Sequence, residues 1–136
     1  VEYNARFGDP ECQAVLSLLE SDLLDILLAC RNGTLDSLDI RWRDEAACCL
    51  VLASGGYPLS YQKGFPITGL DEAGKTAVVF HAGTAQKDGQ TVTAGGRVLG
   101  VTATGGELNA AIDAAYAAAS QIHFQDMHFR TDIGRS

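Results

Sequence analysis

Three polar side chains open the chain at every second position. Glu2, Asn4 and Arg6 alternate with Tyr3, Ala5 and Phe7. On an extended strand, alternate residues project from the same face. A carboxylate and an amide oxygen side by side are hard oxygen ligands. Mg²⁺ is usually held by one or two protein oxygens of this kind, with phosphates and water completing its octahedron. Arg6 continues the row and could meet a phosphate or acyl-phosphate oxygen. The same three residues also suit the polar face of an ordinary strand, and spacing alone leaves both readings open.

Further candidates are scattered. His81 stands in FHAGT, where a strand runs into a glycine, a common place for functional side chains. Gly95-Gly96-Arg97 would let backbone amides approach a ligand beside a fixed positive charge. It would equally form a β-bulge or turn with an exposed arginine. His123 and His128 sit beside Phe124 and Phe129 and read as packing or surface residues. Asp9 and Glu11 resemble an acid pair, but helix capping accounts for them. The chain has no P-loop spacing and no GxGxxG.

The elements that must carry these residues follow from periodicity. Residues 1–7 alternate as a strand. Asp9 then suits an N-cap and Pro10 a first helical position. Val15, Leu19, Leu23, Ile26 and Cys30 draw one apolar stripe, predicting a single helix to about Arg31, stopped by Asn32-Gly33. The polar segment 34–45 reads as a crossing, with a domain boundary near it. Apolar strands are predicted at 46–54, 76–84 and 97–103, with a short one over 65–68. Asp88-Gly89 predicts a type I′ hairpin. Thr104 and Glu107 have capping-box spacing ahead of a helix with Leu108, Ile112, Ala115, Ala119 and Ile122 on one stripe. No internal repeat is present. The expected fold class is α+β: an antiparallel sheet with packed helices, preceded by one strand and one helix that belong to another domain.

Bulk properties narrow the partners. Hydrophobic residues are 46% and charged residues 20% of 136, a globular balance able to form a core without disulfides. The net charge of -7 disfavours broad nucleic-acid or anionic-membrane binding. No apolar stretch approaches the ~20 residues of a membrane helix, and no signal segment is visible. Cys12, Cys30, Cys48 and Cys49 have no CxxC spacing and read as reduced thiols of a cytoplasmic protein.

Several stretches together carry a resemblance: EYNARFGDPECQ, KGFPITG, VFHAGTAQKDGQTVTAGGRVLGVTATG and HFRTDIG. In this order they resemble the C-terminal part of the phosphoribosylamine–glycine ligase (glycinamide ribonucleotide synthetase) family, within the ATP-grasp superfamily. The similarity spans nearly the whole chain and is poor over 34–45. It implies residues 1–33 as the end of an ATP-grasp domain and 34–136 as the family's C-terminal domain. It implies ligation of glycine to 5-phosphoribosylamine in purine synthesis, with ATP as substrate, through glycyl phosphate. By the resemblance Glu2 and Asn4 are ligands for Mg²⁺ or Mn²⁺, and Arg6 steadies the same oxygens. His81, Thr84 and Arg97 line the cleft from the C-terminal domain. The full-length enzyme would be monomeric. The chain alone, lacking most of the ATP-grasp portion, is expected to be inactive. The alternatives are a non-catalytic structural or ligand-binding module, or a related ATP-grasp ligase acting on another carboxylate and amine.

Overall fold

The apolar run AACCLVLAS forms β1 (Ala46–Ser54), as its pattern predicts. A strand apolar at both parities needs cover on both faces. Cys48, Leu50 and Leu52 share one face with their partners Ala103, Val101 and Leu99 on β5 (Arg97–Gly105). Helix α4 (Leu108–Ala119) closes that side with Ala111, Ile112, Ala115, Ala118 and Ala119. Its small residues let helix and sheet approach closely. Each fully buried Leu or Ile here contributes roughly 1.5–3 kcal/mol. The opposite face carries Cys49 and Gly100, and α1 (Glu11–Ser17) packs there against β1 and β5. A Cβ on Gly100 would lie 3.4 Å from Cys49 Sγ and 3.9 Å from Gln13 Nε2, so strand, strand and helix meet at that point.

The computed structural model describes residues 4–135. Within it the remaining elements are α2 (Leu23–Asn32), a 3-10 turn at Leu35–Ser37, α3 (Leu70–Ala73), β2 (Val78–His81), β3 (Thr84–Lys87), β4 (Gln90–Thr93) and β6 (Met127–His128). The main sheet is antiparallel throughout, in the order β2-β5-β1-β6. β3 and β4 form a separate hairpin. Its turn residues Asp88 and Gly89 have φ of 50° and 77°, the doubly left-handed geometry that Asp-Gly favours. The α+β architecture with an antiparallel sheet is therefore as expected.

Several local expectations fail for physical reasons. Residues 4–7 pair with no strand, because alternation specifies a face but not a neighbour to bond. Glu2 lies outside the described residues. The single predicted helix is two. Asp22 accepts hydrogen bonds from the amides of Leu24 (2.7 Å) and Asp25 (3.4 Å), starting α2 afresh. The break before it is bonded to the crossing segment: Arg43 donates to Leu18 O, and Glu20 to Arg41 O. Cys30, expected on the apolar stripe, is exposed, while Gly33 (φ 69°) ends α2 as predicted. Asp9 does not cap α1, since its carboxylate is engaged elsewhere; Pro10 takes the N-cap position without a side-chain bond. The capping box does not form either, because Thr104 is still paired in β5, opposite Ala47. The strand expected over 76–84 divides into β2 and β3 around Ala82-Gly83, and 65–68 makes only isolated bridges through Pro66 and Thr68. All four cysteines are free.

Candidate functional site

The N-terminal segment meets the sheet at Asp9. Arg97, the first residue of β5, places Nη2 3.2 Å from Asp9 Oδ2 and donates from Nη1 to the Asp9 carbonyl at 2.8 Å. Gln13, one turn into α1, donates to Asp9 Oδ1 at 2.9 Å. The turn before α1 is thus held from the sheet and from the helix at once. Beside it opens a cleft of about 550 Å³, within the usual range for small-molecule sites. Phe7, Leu16 and Phe80 supply its apolar wall, and Asp9, Gln13 and His81 its polar groups.

Strand ends bring the other candidates to the same edge. His81 ends β2 and Thr84 begins β3, and the tight turn between them leaves His81 Nδ1 3.0 Å from Thr84 Oγ1. The turn can be tight because Gly83 faces Gly95: a Cβ on Gly83 would come within 2.6 Å of the Gly95 Cα. A Cβ on Gly96 would run into the Tyr57 ring. Ser54 donates to the carbonyls of both Gly95 (2.8 Å) and Gly96 (2.8 Å). The glycine pair therefore serves close packing within the protein, at the point where the β1–β5 register shifts.

The predicted residues come together only in part. His81 lines the cleft, Thr84 bonds to it, and Arg97 grips a residue that lines it. Asn4 and Arg6 are exposed on the segment that leads into Phe7, and Arg6 Nη1 donates to the Phe7 carbonyl at 2.9 Å. The engagement of Asp9 by Arg97 had no local signal, because the two are 88 residues apart. Thiol chemistry is disfavoured beneath α1. Burial pushes the Cys49 thiol up, with a hydrogen bond from Thr102 pulling the other way, and burial also raises Cys48. The Thr102 hydroxyl has only that weak sulfur neighbour and no partner of ordinary hydrogen-bond geometry.

No group of three or more His, Cys, Asp or Glu able to hold a metal ion exists among the described residues. Asn4, exposed and carrying an amide oxygen, has the chemistry of one hard ligand. Such a donor suits a divalent ion whose remaining ligands are phosphates, and does not suit a site built from protein alone.

The family model described as phosphoribosylglycinamide synthetase, C domain, matches residues 47–136. The chain belongs to the phosphoribosylglycinamide synthetase family. Phosphoribosylamine–glycine ligases of Rhizobium meliloti and Agrobacterium fabrum are 54% and 53% identical to it over 134 residues, 98% of this chain. A bifunctional purine biosynthetic protein of Schizosaccharomyces pombe is 51% identical over 133 residues, 98% of this chain and 17% of its own length. The crystal structure of phosphoribosylamine–glycine ligase from Thermotoga maritima superposes with a TM-score of 0.83 at 36% identity, covering 97% of this chain and 32% of that one. This synthetase-family chain spans about a third of the length of the two bacterial ligases, 32% in each. No helix among its described residues is long and apolar enough to cross a membrane.

Proposed function

We propose that the chain is the C-terminal part of a phosphoribosylamine–glycine ligase, which joins glycine to 5-phosphoribosylamine with conversion of ATP to ADP and phosphate. The observation that carries this reading is 54% identity to such a ligase across 98% of the chain. The reaction passes through glycyl phosphate. The glycine carboxylate attacks the γ-phosphorus of ATP and ADP leaves. The amine of phosphoribosylamine then attacks the acyl carbon, and phosphate departs as the amide forms.

Within this reading residues 1–33 end an ATP-grasp domain and 34–136 form the C-terminal domain. Glu2 and Asn4 hold Mg²⁺ or Mn²⁺. The ion neutralises charge on the phosphates when bound. Arg6 steadies the same phosphate oxygens. His81 lines the cleft wall, and Thr84 holds its imidazole there through their mutual hydrogen bond. Arg97 stands at the edge of that cleft. The net charge of -7 supports small-molecule substrates over nucleic acid. The complete enzyme works as a cytoplasmic monomer.

The test is ADP release with glycine, phosphoribosylamine and ATP. A full-length protein ending in this chain turns over, and the 136-residue chain alone does not. Robust turnover by the chain alone, or full activity of Glu2→Ala or Asn4→Ala with unchanged metal dependence, refutes the reading.

A further inference from the structure

We propose that Arg97 is a positioning residue, which acts through Asp9 to set where the segment bearing Asn4 and Arg6 stands relative to the sheet edge bearing His81. The proposal rests on the metal-ligand reading of Glu2 and Asn4 given above.

The base of Arg97 is rigid. It begins β5, which is paired on both sides, and its carbonyl accepts from Gly83 N at 2.9 Å. The residues before it are held by Ser54 and packed against Gly83 and Tyr57 too closely to admit a Cβ. The receiving turn is held just as specifically. Arg97 takes the Asp9 carbonyl and one carboxylate oxygen, and Gln13 takes the other. A guanidinium can make both contacts at once because its donors form a planar fork, which an ammonium cannot reproduce.

Position is the better account of this pair than stability. Both side chains are nearly half exposed, at 41% and 45%, and exposed ion pairs contribute little to folding. Asn4 stands only five positions before Asp9, and residues 4–7 bond into no sheet or helix. Among the described residues, Asp9 is thus the first after Asn4 and Arg6 to hydrogen-bond with the C-terminal sheet. A displacement of about 1 Å at a phosphoryl-transfer site is enough to cost on the order of a hundredfold in rate.

The experiment compares Arg97→Gln, Arg97→Lys, Asp9→Ala and the Asp9→Ala/Arg97→Gln double variant. The first readout needs no metal. Amide exchange in the first turn of α1, where Cys12 N bonds to Gly8 O at 3.1 Å, is followed by mass spectrometry in the 136-residue chain. The second is Mn²⁺ affinity in the presence of ADP, measured on the full-length protein from the paramagnetic signal of the free ion. Arg97→Gln is expected to speed exchange at α1 and weaken Mn²⁺ binding about three- to tenfold. Arg97→Lys falls between, the double variant is no worse than the worse single one, and exchange in β1 and β5 is unchanged. Unchanged exchange and Mn²⁺ affinity in Arg97→Gln overturn the proposal. So does faster exchange throughout β1 and β5 in both Arg97 variants, which makes Arg97 a residue of the fold. If Glu2→Ala and Asn4→Ala weaken Mn²⁺ binding and Arg97→Gln does not, the positioning role fails and the metal row stands. If Glu2→Ala and Asn4→Ala leave Mn²⁺ affinity unchanged, the row itself fails and the proposal falls with it.

Discussion

Residues 46–135 enclose their apolar side chains, and residues 4–45 largely do not. Of the large hydrophobic residues exposed among the described ones, Phe7, Val15, Leu24, Leu27, Leu28, Leu35 and Trp42 precede β1, against four after its start. The earlier part buries Ala29, while the later part holds the whole core cluster around Leu50, Leu52, Leu99 and Ile112. Helix α2 makes the contrast plain. Its sequence LLDILLACRN is apolar nearly all round, and such a helix is matched to cover on more than one side. The later part has a sheet and α4 to bury against each other, whereas the 3-10 turn is the helix or strand that α2 touches most.

The contrast can be broken or sharpened by substitution. The largest effect is expected in the closed part. Leu50→Ala should lower stability by about 2–5 kcal/mol in urea unfolding, through lost burial and a cavity; a loss under 1 kcal/mol would mean that this core is not closed. Next comes Asp22→Ala, which removes the side-chain cap of α2 and should cost about 0.5–2 kcal/mol, with loss of helical circular dichroism. A titration follows. Burial raises the Cys48 and Cys49 thiols, so folding favours their protonated forms. That contribution is complete below the ordinary thiol value of 9.0 and is lost as pH rises from there through the raised folded values. Stability of the chain should therefore fall on this alkaline limb, and Cys48→Val should flatten it. The smallest effect is expected in the open part: Leu27→Ala, on an exposed face of α2, should change stability by within about 0.5 kcal/mol. A loss approaching that of Leu50→Ala would erase the distinction between the regions.

What could be foreseen follows the same division. β1, β5, the Asp88-Gly89 turn and α4 rest on local patterns, and each lies within a few residues of its predicted place. Alternation predicts a strand over 1–7, but a strand needs a bonded neighbour that alternation cannot supply, and residues 4–7 have none. The single helix predicted by the 4-4-3-4 stepping of apolar residues fails because the stepping runs straight through Asp22, which caps α2, while backbone bonds from Arg41 and Arg43 hold the break at Leu18–Ser21 from beyond α2. At the candidate site, His81 was placed correctly at a strand end. The grip of Arg97 on Asp9 was not visible, because capping gave Asp9 a sufficient local explanation and its actual partner lies far along the chain.

The cap at Asp22 does more than start a helix. It divides one continuous apolar run into two separately aimed pieces. α1 commits its residues to the back of the sheet, while α2 has no more than slight contact with it. A single aspartate thus acts as a junction, allowing neighbouring turns of chain to answer to different surfaces. Fusing the two helices would leave every residue of the run intact and still destroy the arrangement, since Leu24, Leu27 and Leu28 would be carried to a new direction. At that position the protein encodes an address, and the alternation of polar and apolar residues around it only says what is to be delivered.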